Sequence, residues 1–229
     1  MMNTFEETNT LSYEENLKRI SRLNYSNTFK RLLDILVSIV LLLLLIIPTI
    51  IIAIAIKAER KESIIYRSKR VGKNGAVFEI YKFRTMVKYN ELNSDNRVTK
   101  VGRILRKTSL DEIPQLINVL KGDMSLVGPR PWVPDYYKNF TEEQKKRNSV
   151  LPGITGLAQV RGRNSIDVFK KIEYDLQYIE NINMARDFKI ILETIKTVFE
   201  KENVDITEDG IKKEISMLKN NLKNEEKYE

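Results

Sequence analysis

The segment Thr108-Ser109-Leu110-Asp111-Glu112-Ile113-Pro114 sets two adjacent carboxylates directly after the cations Arg103, Arg106 and Lys107. Cations at this spacing favour the ionised form of an acid. An ionised carboxylate with no other duty serves either as a nucleophile or as a ligand for a hard cation. A purely structural explanation stands beside that one. Ser109 with Glu112 three residues on has the pattern of a capping box, and acids in a first helical turn routinely stabilise the helix dipole. Pro114 bears on the choice. With Ser109 as the cap, the proline falls at the fifth helical position, where a backbone N–H should already be donating. A helix that starts nearer Asp111 puts Pro114 in its first turn, and sets Asp111 at the positive end of that helix beside Arg106.

The chain contains neither histidine nor cysteine. Disulfides, thiolate chemistry and imidazole bases or ligands are therefore excluded, and any reaction falls to carboxylates, Lys, Arg, Tyr or hydroxyls. A carboxylate nucleophile needs an electrophile whose negative charge is neutralised, and phosphoryl groups held by Arg and Mg²⁺ are the usual solution. Arg130 suits that task, because Pro129 and Pro131 fix the backbone around a guanidinium that can hold phosphate oxygens bidentately. A solvated Arg in a rigid turn is the alternative. Lys82-Phe83-Arg84 and Arg161-Gly162-Arg163 add two more basic clusters, each of a kind that is more often plain surface. The net charge of +8 suits anionic lipid, phosphate-bearing substrates or nucleic acid without choosing among them, although cations matched to an anionic leaflet are the commoner case than nucleic-acid binding.

The elements that must position these groups begin with a 22-residue apolar run, Ile35 to Ile56. At about 1.5 Å per residue it would reach about 33 Å as one straight helix, enough to cross a bilayer core of roughly 30 Å. Its flanks argue against crossing: Lys30 and Arg31 precede it and Lys57, Arg60 and Lys61 follow it, so both ends carry the cytoplasmic signature. Pro48 predicts a sharp bend at Ile47-Pro48, giving two legs of roughly 20 Å and 12 Å that enter one leaflet and return. A plain single span that tolerates its proline is the competing reading. About 170 residues follow the run, enough for one domain.

Residues 1–28 are polar and read as a loose lead-in. Ser63 to Val71 and Ala76 to Phe83 read as a β-hairpin turned at Lys73-Asn74-Gly75, since Asn-Gly accepts positive φ. Residues 87–100 read as a loop leading to the basic segment 100–107, and Glu112 to Leu120 as a helix stopped by Gly122. Gly128 to Pro131 and Pro152 to Gly156 read as rigid connectors, with a helical stretch from Thr141 between them. A helix is predicted over 166–181. From 185 to 201, Phe188, Ile191, Leu192, Ile195, Val198 and Phe199 recur at helical spacing, for a face buried in the core or lying in a membrane interface. Beyond Val204 the composition predicts a charged, frayed helical tail.

Taken jointly, these segments resemble the bacterial sugar transferase family, the monotopic polyprenyl-phosphate phosphoglycosyltransferases. The motifs are Phe29-Lys30-Arg31-Leu32-Leu33-Asp34, Arg70-Val71-Gly72 through Phe78, Tyr81-Lys82-Phe83-Arg84-Thr85-Met86, Leu105-Arg106-Lys107 through Leu116, Gly122-Asp123-Met124-Ser125-Leu126-Val127-Gly128-Pro129-Arg130-Pro131 and Pro152-Gly153-Ile154-Thr155-Gly156. They cover about residues 28 to 203.

The resemblance implies an enzyme whose Asp111 attacks the sugar-linked β-phosphate of a UDP-sugar and expels UMP. A polyprenyl phosphate, usually undecaprenyl phosphate, then accepts the sugar phosphate in the first membrane step of capsule, exopolysaccharide or lipid-linked oligosaccharide synthesis. By the same likeness Glu112 joins Asp111 in holding Mg²⁺, and Arg106, Arg130, Lys82 and Arg84 bind substrate. Lys30, Arg31, Asp34 and Pro48 mark the membrane and carrier interface, at the cytoplasmic face of a bacterial membrane, and the 185–201 helix lies in that interface. The family's usual Ser before the proline is Ile47 here, so a shallower bend is expected, or a break served by the Thr49 hydroxyl.

The implied fold is α+β: a re-entrant membrane helix-hairpin over 29–57, a mostly helical catalytic domain with a small β-hairpin over 58–203, and a tail over 204–229. Expected partners are a UDP-sugar, a polyprenyl phosphate, membrane lipid and at most a second copy in a homodimer, with no nucleic acid. A non-enzymatic, single-pass basic membrane protein is the alternative class.

Overall fold

The computed structural model describes residues 25–87, 97–162, 166–199 and 208–225. Most of the predicted lead-in, most of the 87–100 loop and Arg163 lie outside the described residues.

The apolar run forms two helices, α1 (Lys30–Leu44) and α2 (Ile46–Glu59), that meet at 62°. Among the described residues no single helix is long and apolar enough to cross a membrane. The break sits at Leu45 (φ −93°, ψ 7°), upstream of the expected Ile47-Pro48 position. The reason is the reach of the proline: Pro48 cannot donate to the Leu44 carbonyl and its ring crowds that group, so the ladder fails one turn earlier. It resumes where the Thr49 backbone N–H bonds to the Leu45 carbonyl at 2.8 Å. Pro48 thereby becomes a first-turn residue of α2, where a missing donor costs least. The legs are 15 and 14 residues, about 22 and 21 Å, so the second is longer than expected.

One side of the hairpin belongs to the protein core. Ile52 and Ile56 are buried with Phe83, Leu105, Ile113 and Leu116 in a single cluster. The other side, including Leu36, Val40, Leu43, Leu44, Ile47, Ile50, Ile51 and Ile54, is exposed, an apolar face far broader than a soluble chain leaves to water. Three polar residues of α1 tie the hairpin to the domain. Lys30 pairs with the buried Asp187, Arg31 donates to the carbonyls of Val119 and Leu120 at 2.6 and 3.0 Å, and Asp34 accepts the Leu126 N–H at 3.1 Å.

Strands β1 (Ile65–Val71) and β2 (Val77–Phe83) pair antiparallel, Ile65 opposite Phe83 and Val71 opposite Val77, through the expected turn with positive φ at Asn74 and Gly75. Next comes α3 (Lys100–Thr108), capped by the Thr99 hydroxyl, with the Glu59 carboxylate accepting the N–H groups of Lys100 and Val101. Ser109 is the left-handed cap (φ 57°) that ends this helix, so the capping box does not form. One 3₁₀ turn, Leu110–Glu112, follows, and after Pro114 comes α4 (Gln115–Lys121), which Gly122 stops at φ 92° as expected.

Strand β3 (Ser125–Val127) pairs parallel with β4 (Gly153–Thr155), Ser125 opposite Gly153 and Val127 opposite Thr155. This corrects the reading of 152–156 as a bare connector: three residues are too few to show a strand's alternation. The short helices α5 (Pro134–Tyr137) and α6 (Glu142–Lys145, with a Thr141–Gln144 capping box) lie between them. Then come α7 (Leu157–Arg161), α8 (Val168–Glu180, capped by Asp167), α9 (Met184–Phe199) and α10 (Glu208–Glu225).

Helix α9 has one apolar side buried in the core and another left exposed. Ile190 is buried with Val127, Leu157, Tyr178 and Ile182, while Met184, Phe188, Leu192 and Ile195 are exposed. The frayed tail beyond Val204 is corrected over 208–225: α10 is a regular helix whose Leu218 is fully buried against Tyr136, Phe140, Val168 and Ile172. One leucine and a sparse apolar stripe suffice to dock it, and average charge conceals such a stripe. The architecture is a helical assembly carrying two small two-stranded sheets.

Candidate active site

The 3₁₀ turn that replaces the expected helix start is what presents the carboxylate pair. Asp111 and Glu112 lie in that turn between α3 and α4, over the inner face of β2. Glu112 Oε1 accepts from Lys82 Nζ at 2.6 Å and from Arg130 Nη2 at 3.0 Å. These two cations hold the Glu112 carboxyl well below the ordinary carboxylate range despite its burial. Asp111 is also buried, yet among the described residues its carboxylate makes no hydrogen bond. Burial pushes its pKa up, opposed by Lys82, Arg130 and Arg106 and reinforced by the negative Glu112. Burial therefore outweighs the cations that the sequence reading expected to keep it ionised.

Arg130 is fixed by its backbone. The Gly128 N–H bonds to the Thr155 carbonyl at 2.8 Å, the Pro129 carbonyl accepts from Gly153 at 2.9 Å, and the Trp132 carbonyl accepts from Val71 at 2.9 Å. The Gly128 and Gly153 backbones approach so closely that a Cβ on Gly153 would lie 2.1 Å from the Gly128 nitrogen, which is why that position needs glycine. The Arg130 carbonyl itself accepts from Arg147 Nη2 at 2.8 Å. Arg147 is buried, bonds Asp175 Oδ2 through Nε and Nη2 at 2.9 and 2.6 Å, and stacks 4.3 Å over the Trp132 ring.

Of the residues singled out from the sequence, Asp111, Glu112, Lys82, Arg130 and Arg106 converge here. Arg84 does not. Strand β2 ends at Phe83, and the Arg84 side chain folds back to the Ser63 carbonyl (2.8 Å) and Glu62 (3.6 Å). Lys30, Arg31 and Asp34 are engaged in tying α1 to the domain, and Pro48 sits at the hairpin break. Two residues went unassigned. Arg70 faces Arg130 and Glu112 from β1, and alternation along that strand, which turns Ser68 and Arg70 to one side, could have found it. Arg147 has no such signal; it looks like one more charge in a charged stretch.

A pair of hard oxygen donors is the right chemistry for Mg²⁺, which binds through one or two carboxylates and leaves its remaining positions to water and phosphate oxygens. Asp111 has both oxygens available, and Oε2 of Glu112 lies beside the oxygen that Lys82 and Arg130 occupy. Among the described residues no cluster of three or more acid, His or Cys side chains offers a fuller cage.

A carboxylate without a hydrogen bond among the described residues, a neutralised one beside it and the four cations Lys82, Arg130, Arg106 and Arg70 around them define a centre for handling an anionic, phosphate-like group next to the bent apolar hairpin. The chain belongs to the bacterial sugar transferase family, whose family model matches residues 25–201. It is 42% identical over 183 residues to the sugar transferase EpsL of Bacillus subtilis (strain 168), covering 78% of this chain and 91% of EpsL. It is 41% identical over 189 residues to the UDP-glucose:undecaprenyl-phosphate glucose-1-phosphate transferase of Caulobacter vibrioides (76% of this chain, 71% of that protein). It is 41% identical over 214 residues to the galactosyl transferase CpsE of Streptococcus agalactiae serotype III (85% of this chain), of which it spans only 46%.

Proposed function

We propose that this chain transfers a sugar-1-phosphate from a UDP-sugar to a polyprenyl phosphate, undecaprenyl phosphate foremost, giving a polyprenyl-diphosphate sugar and UMP. The names of the Caulobacter and Streptococcus relatives support sugar donors of the glucose and galactose type and a role in surface-glycan assembly. The observation that carries the reading is the buried Asp111 carboxylate, without a hydrogen bond among the described residues, beside a Glu112 already paired with Lys82 and Arg130.

In the first step an Asp111 oxygen forms a bond to the β-phosphorus, and the bond from that phosphorus to the bridging oxygen breaks. UMP leaves with the electron pair. In the second, an oxygen of the carrier phosphate attacks the same phosphorus and releases the Asp111 carboxylate. Arg130 and Lys82 neutralise the equatorial oxygens, and Glu112 keeps both cations aimed. Arg106 and Arg70 add positive field. Asp111 and Glu112 would hold Mg²⁺, which when bound supplies further neutralisation of the diphosphate. The hairpin dips into one leaflet at the cytoplasmic face and re-emerges. Its 62° break, its exposed apolar side and the exposed Phe188, Leu192 and Ile195 of α9 support that placement.

The test is UMP release by the full chain in lipid nanodiscs with undecaprenyl phosphate, Mg²⁺ and a panel of UDP-sugars including UDP-glucose and UDP-galactose. Asp111→Asn, which keeps the shape and removes the nucleophile, is expected to lower turnover by on the order of 10³-fold or more. Normal turnover by this variant would refute the mechanism.

A further inference from the structure

Helix α10 lies beyond the residues matched by the family, yet it packs against the back of the site. Leu218 is fully buried in the cluster of Tyr136, Phe140, Val168 and Ile172, and Trp132 and Tyr137 pack against the same cluster. The Glu214 carboxylate accepts from the Tyr136 hydroxyl and from Lys171 Nζ, both at 2.7 Å, and Asn221 Oδ1 accepts from Gln144 at 3.0 Å. The same aromatic group supports Arg130 from behind. Trp132 stands 4.8 Å from Tyr136 and 5.5 Å from Phe140, and its ring carries the Arg147 guanidinium that bonds the Arg130 carbonyl.

We infer that α10 is a clasp that holds Arg130 in register for the diphosphate of the donor, with Glu214 and Leu218 as positioning residues. The chain of contact is short. Leu218 and Glu214 fix Tyr136, Tyr136 fixes Trp132, and Trp132 with Arg147 fixes the backbone of Arg130. The helix docks through Leu218 with Ile211, Ile215 and Met217 beside it, on the aromatic group that backs the Arg130 loop, so its release is read first in the geometry of that loop. The inference rests on the proposed phosphate-handling role of Arg130.

Trp132 is the only tryptophan of the chain, so its emission reports on the junction directly. The experiment uses the full chain in nanodiscs as Leu218→Asp, which expels the helix, and Glu214→Gln, which keeps its shape but loses the charge. Lys219→Ala, on the exposed side of α10, serves as the control. Trp132 emission, UDP affinity in the presence of Mg²⁺ from Trp132 quenching, and KM and kcat for UMP release are measured on each. Leu218→Asp is expected to red-shift the emission and to raise both the UDP Kd and the KM about tenfold while kcat stays within about twofold, the signature of lost donor binding. Glu214→Gln is expected to move the same quantities by a smaller factor, Leu218→Met to restore them, and the control to leave them unchanged.

A red shift with unchanged UDP affinity and KM overturns the clasp, as does an emission that does not move. If the parent binds UDP but releases no UMP from any donor, the transfer reading fails instead. The UDP titrations then still decide the role of α10.

Discussion

Replacing Glu112 by Gln probes the electrostatics of the site in two separable ways. The Lys82–Glu112 pair is 2.6 Å long with side chains 17% and 16% exposed, a part-buried ion pair whose loss falls at the lower end of the buried range. Removing one partner of a buried pair costs about 3–5 kcal/mol. The Arg130–Glu112 pair adds little, because the Arg130 side chain is 43% exposed and an ion pair open to solvent is worth about 0–1 kcal/mol. The amide oxygen of Gln keeps one hydrogen bond, so a net loss of about 3 kcal/mol is expected, a fall in Tm of about 6–12 °C for a chain of this size.

The second effect concerns Asp111. The Glu112 charge raises the Asp111 pKa, and it also occupies two cations that lower it. In Glu112→Gln both influences act in one direction, and the Asp111 pKa falls. Asp111 reacts as the anion, so activity rises with pH through its elevated pKa, and in the variant this acid limb moves to lower pH whatever the height of the plateau. Stability follows the opposite member of the pair. Glu112 has a depressed folded pKa, so its stabilisation is complete above the ordinary carboxylate range and is lost as pH falls through its folded value. The stability gap between parent and variant should therefore close in acid. The assays are UMP release against pH and thermal unfolding by circular dichroism in detergent. An acid limb that stays in place, or moves to higher pH, refutes the electrostatic account of Asp111.

Two further outcomes are expected. Arg147→Lys cannot reproduce the paired bonds to Asp175 together with the bond to the Arg130 carbonyl and the stack on Trp132, and should cost about 3 kcal/mol, read as a drop in Tm. Full retention of Tm would show that the buried pair contributes nothing. Single cysteines at Thr28 and Lys61, both exposed and introduced into a chain without native thiols, should react with a membrane-impermeant maleimide from the same side of a sealed vesicle. Labelling from opposite sides would establish a crossing helix and remove the re-entrant hairpin.

Local features were legible wherever a few adjacent residues determine the backbone. Asn74-Gly75 called for positive φ and has it, Gly122 ends its helix, and the helical stretch expected from Thr141 begins there. Where two local signals competed, the sequence did not arbitrate. Ser109 through Pro114 admitted a capping box or a later helix start, and packing chose a left-handed Ser109 and a 3₁₀ turn instead. Helix α9 read as a core or an interfacial helix, and the structure buries one side of it and leaves an apolar side exposed. Helix α10 was hidden by its average charge, because one buried leucine and a sparse stripe of Ile211, Ile215 and Met217 carry the docking.

The amino-acid sequence by itself narrowed the chemistry to carboxylates, Lys, Arg, Tyr and hydroxyls, since the chain has neither His nor Cys, and it singled out the Asp-Glu pair among cations as the candidate. It also determined that the apolar run would break, because a proline cannot donate the bond that a continuous helix requires. The tertiary structure alone decided which charges act together. Lys82, Glu112 and Arg130 are separated by 30 and 18 residues in sequence and meet within 3.0 Å, whereas Arg84, two residues from Lys82, turns away. The direction of the Asp111 pKa shift was likewise decided in three dimensions, because the penalty for burying a charge depends on the surroundings that the fold assembles and not on the neighbours along the chain.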